Sequence, residues 1–321
     1  MLITSIGQGL LWAPLVIGVF LTFRILDIPD LTTEGSFPLG AAVTVSAMIH
    51  GQSAIVASLL GFLAGCLAGW VTGMLDTKLK MPSLLAGILT MTGLYSVNMH
   101  VMGKSNVPLL DQQVLTSYLP ATWSLDFQTI VVGLGVTALV MASLIWLFRT
   151  RLGLSLMATG NNAAMSAANG IYTDRMVILG YMVSNGCIAL SGALIAQSNG
   201  FADIGMGIGT IVIGLASVLV GEIFLRGRQI WLRLTAMVLG AVIYRYLLTV
   251  AMGLGFPVDD LKILSAGILV IVICLPLLRN KLQTKQQLKR YLKQIGVDQH
   301  ATTSSLKRQA PTEGLLSRNG K

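Results

Sequence analysis

Carboxylates beside long apolar runs are the residues of this 321-residue chain with the clearest chemical potential. Asp30 and Glu34 follow the first apolar run, Asp203 follows the sixth, and Glu222 ends the seventh. A carboxylate inside an apolar layer is costly and is therefore a candidate for binding ions or solutes, whereas one placed just before a helix satisfies free N–H groups. Both roles stay open for the first three acids. Glu222 is expected to pair with Arg226, one helical turn later.

Small residues near these acids complete a candidate polar path. Ser36 lies two residues after Glu34, and Gly207 and Gly209 follow Asp203, so that irregular backbone could line a cavity there. The predicted path-lining residues are Asp30, Glu34, Ser36, Asp203, Gly207 and Gly209.

Motifs for bond chemistry are missing from the sequence. The three histidines have no serine and acid beside them in a nucleophile motif, and no G-x-x-x-x-G-K-S/T phosphate loop occurs. The three cysteines stand singly inside apolar runs, without metal-ligand spacing. We therefore predict no catalytic residue, no metal site and no cofactor bound by this chain.

The composition indicates a membrane protein. Hydrophobic residues make up 54% of the chain and charged residues 11%, whereas about 25% of a soluble domain is charged. Since one helix needs roughly 20 apolar residues to cross the hydrocarbon layer, the chain is long enough for about eight to ten crossings. The predicted fold is an all-α polytopic membrane protein.

Apolar runs bounded by glycine, proline and charged residues predict about nine transmembrane helices. Two of them, 37–50 and 208–224, are short, and each follows a glycine-rich, acid-bearing stretch. Such irregular backbone is tolerated at membrane depth only where it is buried in protein or lines a cavity. The predicted helices cover residues 5–26, 37–50, 53–75, 83–102, 128–148, 176–198, 208–224, 232–252 and 261–278.

Two segments of the chain are similar to each other. The first helix with IPDLTTEGSFPLGAAV and the sixth with NGFADIGMGIGTIVIG each place an acid and small residues between a full helix and a short one. Five helices separate the two segments, so they would cross the membrane in opposite directions. The sequence therefore predicts an inverted repeat, an architecture of transport proteins whose broken helices meet near the midplane.

Positive charge is concentrated on one side of the predicted membrane. Lys78, Arg149 and Arg175 fall on the same side if the nine helices alternate, which places the N-terminus outside and the C-terminus in the cytoplasm. Residues 279–321 contain ten Lys and Arg but two Asp and Glu. We predict a membrane domain over 1–278 and a basic cytoplasmic tail over 279–321, which meets anionic lipid or stays solvated rather than binding nucleic acid.

The loop between Arg149 and Arg175 is too polar to span a membrane and longer than a simple connection requires. Residues 161–169, between Gly160 and Gly170, predict one short alanine-rich helix. Such a helix either docks another subunit or lies at the membrane surface.

Two further features of the predicted helices bear on packing. Gly61, Gly65, Gly69 and Gly73 recur at every fourth residue, which predicts the close approach of another helix along that face. Arg245 lies well inside a predicted helix and is expected to reach the outer interface or to pair with a helix-end acid, rather than to contact a solute.

Three stretches resemble one family of transport proteins. The run TRLGLSLMATGNNAAMSAANGIYTDR is similar to the cytoplasmic coupling segment of ATP-binding-cassette importer permeases of the branched-chain amino acid and ribose type. DIPDLTTEGSFPLGAAV resembles an early segment of that family, and SGALIAQSNGFADIGMGIGTIVIGLASVLVGE resembles its glycine-rich entry to a short helix. The stretches cover most of residues 10–250, and the chain looks closest to a little-characterised subgroup encoded beside lipoprotein-like binding proteins.

The resemblance implies a permease of the bacterial inner membrane that imports a small solute, for which we expect an aromatic or branched-chain amino acid. It also implies a homodimer or a pair with a close relative, two cytoplasmic ATPase subunits that use ATP, and an external substrate-binding protein. The chain departs from the ribose-type pattern in having nine predicted helices rather than ten. The segment that would sit in a groove of the ATPase comprises Gly160, Asn161, Asn162, Ala163, Ala164, Ser166, Ala167 and Gly170.

Two other classes of protein are alternatives. An ion-coupled secondary transporter would use Asp30, Glu34 or Asp203 as a proton or sodium site and would transport without a partner. An intramembrane enzyme is disfavoured, because no convergent His, Cys, Asp or Ser motif occurs.

Overall fold

The fold is almost entirely helical. The computed structural model describes residues 2–109, 112–120, 122–225, 229–254 and 263–270. Strands β1 (Asn106–Pro108) and β2 (Phe201–Asp203) form an antiparallel pair. The helices are α1 (Leu2–Phe20), α2 (Thr33–Ile49), α3 (Ala54–Thr77), α4 (Ser83–Met102), α5 (Leu125–Arg149), α6 (Arg151–Asn161), α7 (Ala163–Ala168), α8 (Thr173–Asn199), α9 (Thr210–Phe224) and α10 (Ile230–Gly253).

Seven helical segments in the described ranges are long and apolar enough to cross a membrane. They confirm the predicted all-α polytopic membrane fold. The predicted helix 37–50 corresponds to α2, whose 17 residues are fewer than the roughly 20 that a full crossing takes. The predicted helix 261–278 lies largely outside the described residues, so the count of nine stays a prediction. The seven segments are Leu2–Leu26, Ala54–Thr77, Ser83–Met102, Leu125–Arg149, Thr173–Asn199, Ile204–Phe224 and Ile230–Gly253.

The predicted boundary between the membrane domain and the basic tail follows residue 278, after the last described residue, 270. Residues Met1–Leu269 belong to one compact unit. The boundary predicted after residue 278 and the basic tail 279–321 lie outside the described residues.

Helices α1 and α8 are the inner helices of this unit. Of the residues in their most apolar spanning stretches, 83% and 72% are buried, compared with 22% in α5. On α5 large apolar side chains such as Leu139 and Trp146 are exposed. An exposed apolar face on a spanning helix suits contact with lipid chains, so α5 is an outer helix of the bundle.

A stripe of small residues allows α3 to pack directly against α8. A Cβ on Gly65 or Gly69 would collide with the backbone of α8, and a Cβ on Gly73 would lie 2.9 Å from the Cα of Ile178. Side chains at these positions would force the two helices apart. Gly61 instead approaches α2, where a Cβ would lie 2.9 Å from the carbonyl oxygen of Gly40. The predicted close approach of helices along this glycine face is confirmed.

Two long helices each end in a break that leads to a shorter helix, as the sequence predicts. α1 continues as a π-helical turn, Leu21–Leu26, which ends at Asp27 in the left-handed region with φ +57°. Residues 27–32 then lead into α2. After α8, strand β2 and a 3₁₀ turn, Ile204–Gly207, lead to Gly209, which has φ +86° directly before α9.

Candidate functional site

The starts of the two short helices meet at Glu34. This residue is the second of α2, and its Oε1 accepts a hydrogen bond from the backbone N–H of Gly209, 3.0 Å away, just before α9. A Cβ on Gly207 would collide with the carbonyl oxygen of Glu34, so this approach requires glycine. One carboxylate therefore lies in the first turn of α2 and at the N-terminal end of α9, where negative charge is favourable. The structure thus brings together three of the predicted path residues.

A second polar cluster is buried beside the first break. Asp30 is fully buried; its Oδ1 accepts from the backbone N–H of Thr32 at 2.9 Å, and its Oδ2 accepts from Nδ2 of Asn185 at 2.8 Å. Ser36 Oγ donates to Oδ1 of the same asparagine at 2.7 Å. The hydroxyl oxygens of Thr32 and Thr72 lie 2.9 Å apart. Since Asn185 belongs to α8 and Thr72 to α3, these contacts fix the break against both helices.

Asn185 is a residue that the sequence interpretation missed. It joins Asp30 to Ser36, two predicted path residues, from the middle of α8. The available signal was a serine and asparagine pair, Ser184 and Asn185, inside a long and mostly apolar helix. Polar side chains in such a position commonly make contacts between helices.

Asp203 is separate from both clusters. Its Oδ1 accepts from the backbone N–H of Gly205 at 2.7 Å, and its Oδ2 accepts from Nδ2 of Asn106 at 3.2 Å. The first contact caps the 3₁₀ turn after β2, and the second joins the paired strands. The capping interpretation therefore accounts for the contacts of Asp203 in this conformation.

The segment between α5 and α8 contains two helices where the sequence predicted one. The short helix expected over 161–169 is present as α7 (Ala163–Ala168), whereas α6, which ends at Asn161, was not predicted. Asn162 lies between the helices, and its Oδ1 accepts from the backbone N–H of Met165 at 2.9 Å. This side chain replaces the backbone hydrogen bond that would have continued α6, so the chain bends and α7 starts afresh.

α7 presents most of its surface to the outside of the unit. Of the predicted coupling residues, Ser166 is buried, with 1% of its surface exposed. Gly160 is partly buried at the end of α6. The exposed members of the set are Asn161, Asn162, Ala163, Ala164, Ala167 and Gly170.

The end of α6 rests on the π-helical turn of α1. A Cβ on Gly160 would collide with the carbonyl oxygen of Ile25. The same turn also packs on α8, because a Cβ on Gly180 would collide with the Leu26 side chain. The α6–α7 segment (Arg151–Ala168) is therefore in direct contact with the end of a central helix.

Two charged side chains make contacts that the sequence did not predict. The carboxylate of Glu222 accepts from the guanidinium of Arg24 in the π-helical turn, whereas its predicted partner Arg226 lies outside the described residues. Arg245 lies over the ring of Trp12, 5.4 Å from the ring centre. That ring stacks on Phe37 of α2 at 5.3 Å. Within the described residues Arg245 makes this cation–π contact and no ion pair with an acid, so of the two predicted roles only the reach to the outer interface stays a prediction.

The sequence of the chain is similar to those of known transport proteins. A family model described as the permease component of branched-chain amino acid transport systems matches residues 1–273. The tyrosine transport system permease protein of Clostridioides difficile is 38% identical over 269 residues, which are 84% of this chain and 89% of that protein.

Two further relatives have lower identity. An uncharacterized protein of Rickettsia prowazekii is 32% identical over 274 residues, 84% of this chain and 95% of that protein. The autoinducer 2 import system permease protein LsrC of Yersinia pseudotuberculosis is 29% identical over 225 residues, 67% of this chain and 59% of that protein.

Proposed function

The chain belongs to the family of permease components of branched-chain amino acid transport systems, and we propose that it carries an amino acid across the membrane as the permease of an ATP-driven importer. It is a multi-pass membrane protein and a permease component of an ATP-binding-cassette transport system, not an enzyme. The proposal adds the substrate, the path, the partners and the orientation.

The proposed substrate is an aromatic or branched-chain amino acid. The relative named for tyrosine transport is 38% identical to this chain and covers 84% of it. The more distant relative, 29% identical, is named for autoinducer 2 import. The greater identity to the tyrosine permease favours an amino acid over an autoinducer.

The proposed path runs past the two breaks. Glu34, Gly207 and Gly209 lie where the starts of α2 and α9 meet. Along the chain Asp30 lies four residues before Glu34 and Ser36 two residues after it. Asp203 would act at the strand pair, where the path opens to the outside. Helices that start inside a membrane leave N–H groups for polar contacts, which suits a solute-binding route.

The proposed docking element for the ATPase is the α6–α7 segment. The observation that carries the proposal is the position of this segment. α7 exposes most of its residues, while Gly160 at the end of α6 packs on Ile25 in the π-helical turn after α1. A partner that binds α7 could thus displace a central helix directly. ATP would be bound and used by this partner, and the permease would bind no cofactor of its own.

The proposed assembly is a homodimer in the bacterial inner membrane with two ATPases and an external substrate-binding protein. Its N-terminus would lie outside and its C-terminus in the cytoplasm. Lys78 and Asp174 form an ion pair at the end of α3 and the start of α8. Arg149 ends α5, and Arg233 lies in the first turns of α10. Cations near the α6–α7 segment favour the cytoplasm for this side.

Uptake by proteoliposomes tests the proposed function. The permease is reconstituted alone, and together with its ATPase and binding protein, and the uptake of labelled tyrosine, leucine and ribose is measured. The expected result is uptake of an amino acid that requires ATP and both partners. Uptake by the permease alone, driven by a proton or sodium gradient, would instead establish the secondary-transporter alternative.

A further inference from the structure

An ion pair joins the first broken helix to the end of the second. Arg24 lies in the π-helical turn of α1, and Glu222 lies near the end of α9, 198 residues later in the sequence. Their side chains are 44% and 29% exposed. Such a pair contributes little to stability by itself, because solvent screens it. The pair is of interest because it connects the π-helical turn to α9.

The π-helical turn is the element that receives the α6–α7 segment. Ile25, the residue after Arg24, is the one whose carbonyl oxygen faces Gly160. The turn is closed by the backbone N–H of Ile28, which donates to the carbonyl oxygen of Thr22 at 3.0 Å. π-Helical turns are rare and frequently occur at functional sites. A shift of α6 therefore acts on the residue adjacent to Arg24.

The Arg24–Glu222 ion pair leads to α9, and a carboxylate makes a contact at each end of this helix. Gly209, before α9, donates to Glu34, and Glu222, near the end of α9, accepts from Arg24. Between these contacts Gly214 packs on α1, since a Cβ there would lie 2.8 Å from Val19 Cγ2. α9 could therefore tilt about its contact at Gly214 when the π-helical turn moves.

We propose that Arg24 and Glu222 are positioning residues that pass a displacement of the α6–α7 segment to α9. Moving the π-helical turn draws the end of α9 with it, which alters the junction of Glu34 with Gly209. This inference rests on the proposed function, because it assumes that a partner moves the α6–α7 segment. A static ion pair would serve the fold equally well but would carry no coupling between ATP hydrolysis and uptake.

Charge exchange across the pair tests the inference. Arg24→Glu and Glu222→Arg are made singly and together, and ATP hydrolysis and amino acid uptake are measured in proteoliposomes that hold the complete transporter. Each single variant is expected to lose at least about fivefold in uptake per ATP hydrolysed. The double variant is expected to regain most of that loss, because the opposite charges face each other again.

The ion pair of Lys78 with Asp174 is the matched control. It joins α3 to α8 at 3.6 Å, with side chains 56% and 55% exposed, and neither of its residues belongs to α9 or to the π-helical turn. Lys78→Glu and Asp174→Lys are expected to leave uptake per ATP unchanged. An equal loss in the control variants, or no recovery in the double exchange, would overturn the inference.

Neutral variants keep the test decisive if a reversed charge reduces the amount of folded permease. Arg24→Gln, Glu222→Gln and their combination introduce no repulsion, and the combined variant is expected to lose no more than either single one. Additive losses would overturn the inference. Failure of the unmodified transporter to take up any amino acid with ATP would instead refute the proposed function, so the two failures are distinct.

Discussion

Glu34 Oε1 accepts a hydrogen bond from the backbone N–H of Gly209 at 3.0 Å, although the two residues are 175 positions apart in the sequence. The contact joins the start of α2 to the start of α9, the short helices of the two similar segments. A single acid thus holds the place where the two broken helices meet, and several predictions about transport and stability depend on it.

Replacing Glu34 separates a capping role from an ion-binding role. A glutamine still offers a carbonyl oxygen to Gly209, so Glu34→Gln is expected to keep most of the ATP-dependent uptake. Glu34→Ala removes the acceptor and is expected to lower the free energy of unfolding by about 1 kcal/mol, as with other lost helix caps. Thermal unfolding in detergent and uptake are measured together. Complete loss of uptake in a normally stable Glu34→Gln protein would favour the secondary transporter.

A side chain at position 209 is expected to strain the backbone, although there is space around Gly209. Its φ of +86° strains an L-residue, whereas a Cβ there would meet no atom within 4 Å. Gly209→Ala should therefore destabilise the protein by about 1–2 kcal/mol. Gly135 in α5 has the same open surroundings but no positive φ, and Gly135→Ala is the control. Equal unfolding temperatures of the two variants would show that the conformation of Gly209 carries no strain.

Bulky acids on the α6–α7 segment are expected to uncouple the transporter. Asn161 and Ala164 are exposed, so glutamate at either position should disturb a docked partner without disturbing the fold. ATP hydrolysis should continue while uptake per ATP falls by at least about fivefold. Gln52→Glu, an exposed substitution between α2 and α3, is the control. Unchanged uptake per ATP in both α6–α7 variants would show that this segment does not dock the ATPase.

Asn185→Leu is expected to be strongly destabilising. The leucine would strand the buried carboxylate of Asp30 and the hydroxyl of Ser36, each of which loses its partner on α8. The expected cost is about 1–3 kcal/mol for each buried polar atom that loses its partner. Thr137→Val, which removes one buried hydrogen bond to the Leu10 carbonyl oxygen, is the comparison. A loss no larger than that of Thr137→Val would show that the Asp30 cluster is not a structural unit.

Features with a local cause could be predicted from the sequence. Apolar length fixes most helices to within a few residues, and the four-residue glycine spacing of α3 predicts its contact face. Capping was one of two predicted roles for the acids near the short helices, and Asp203 caps the 3₁₀ turn that precedes α9, because its target, Gly205, is two residues away.

Features that depend on distant partners could not be predicted. Glu222 binds Arg24, which only the packing of α9 on α1 brings near. The bend at Asn162 was missed because an asparagine continues a helix or caps a new one according to its surroundings. The central position of Asn185 likewise requires the fold, since its three partners come from two other elements and its own helix.

The most direct test of the account is whether nucleotide at the partner changes the junction of the broken helices. Ile208 lies between Gly207 and Gly209 and is 61% exposed. Ile55 at the start of α3 is equally exposed and serves as the control. Each is replaced by cysteine in a complete transporter whose three native cysteines are removed, and the rate of labelling by a water-soluble thiol reagent is measured with and without ATP. The account predicts that ATP changes the rate for Ile208→Cys alone, and that Ala164→Glu abolishes the change. A rate for Ile208→Cys that is independent of ATP would contradict it.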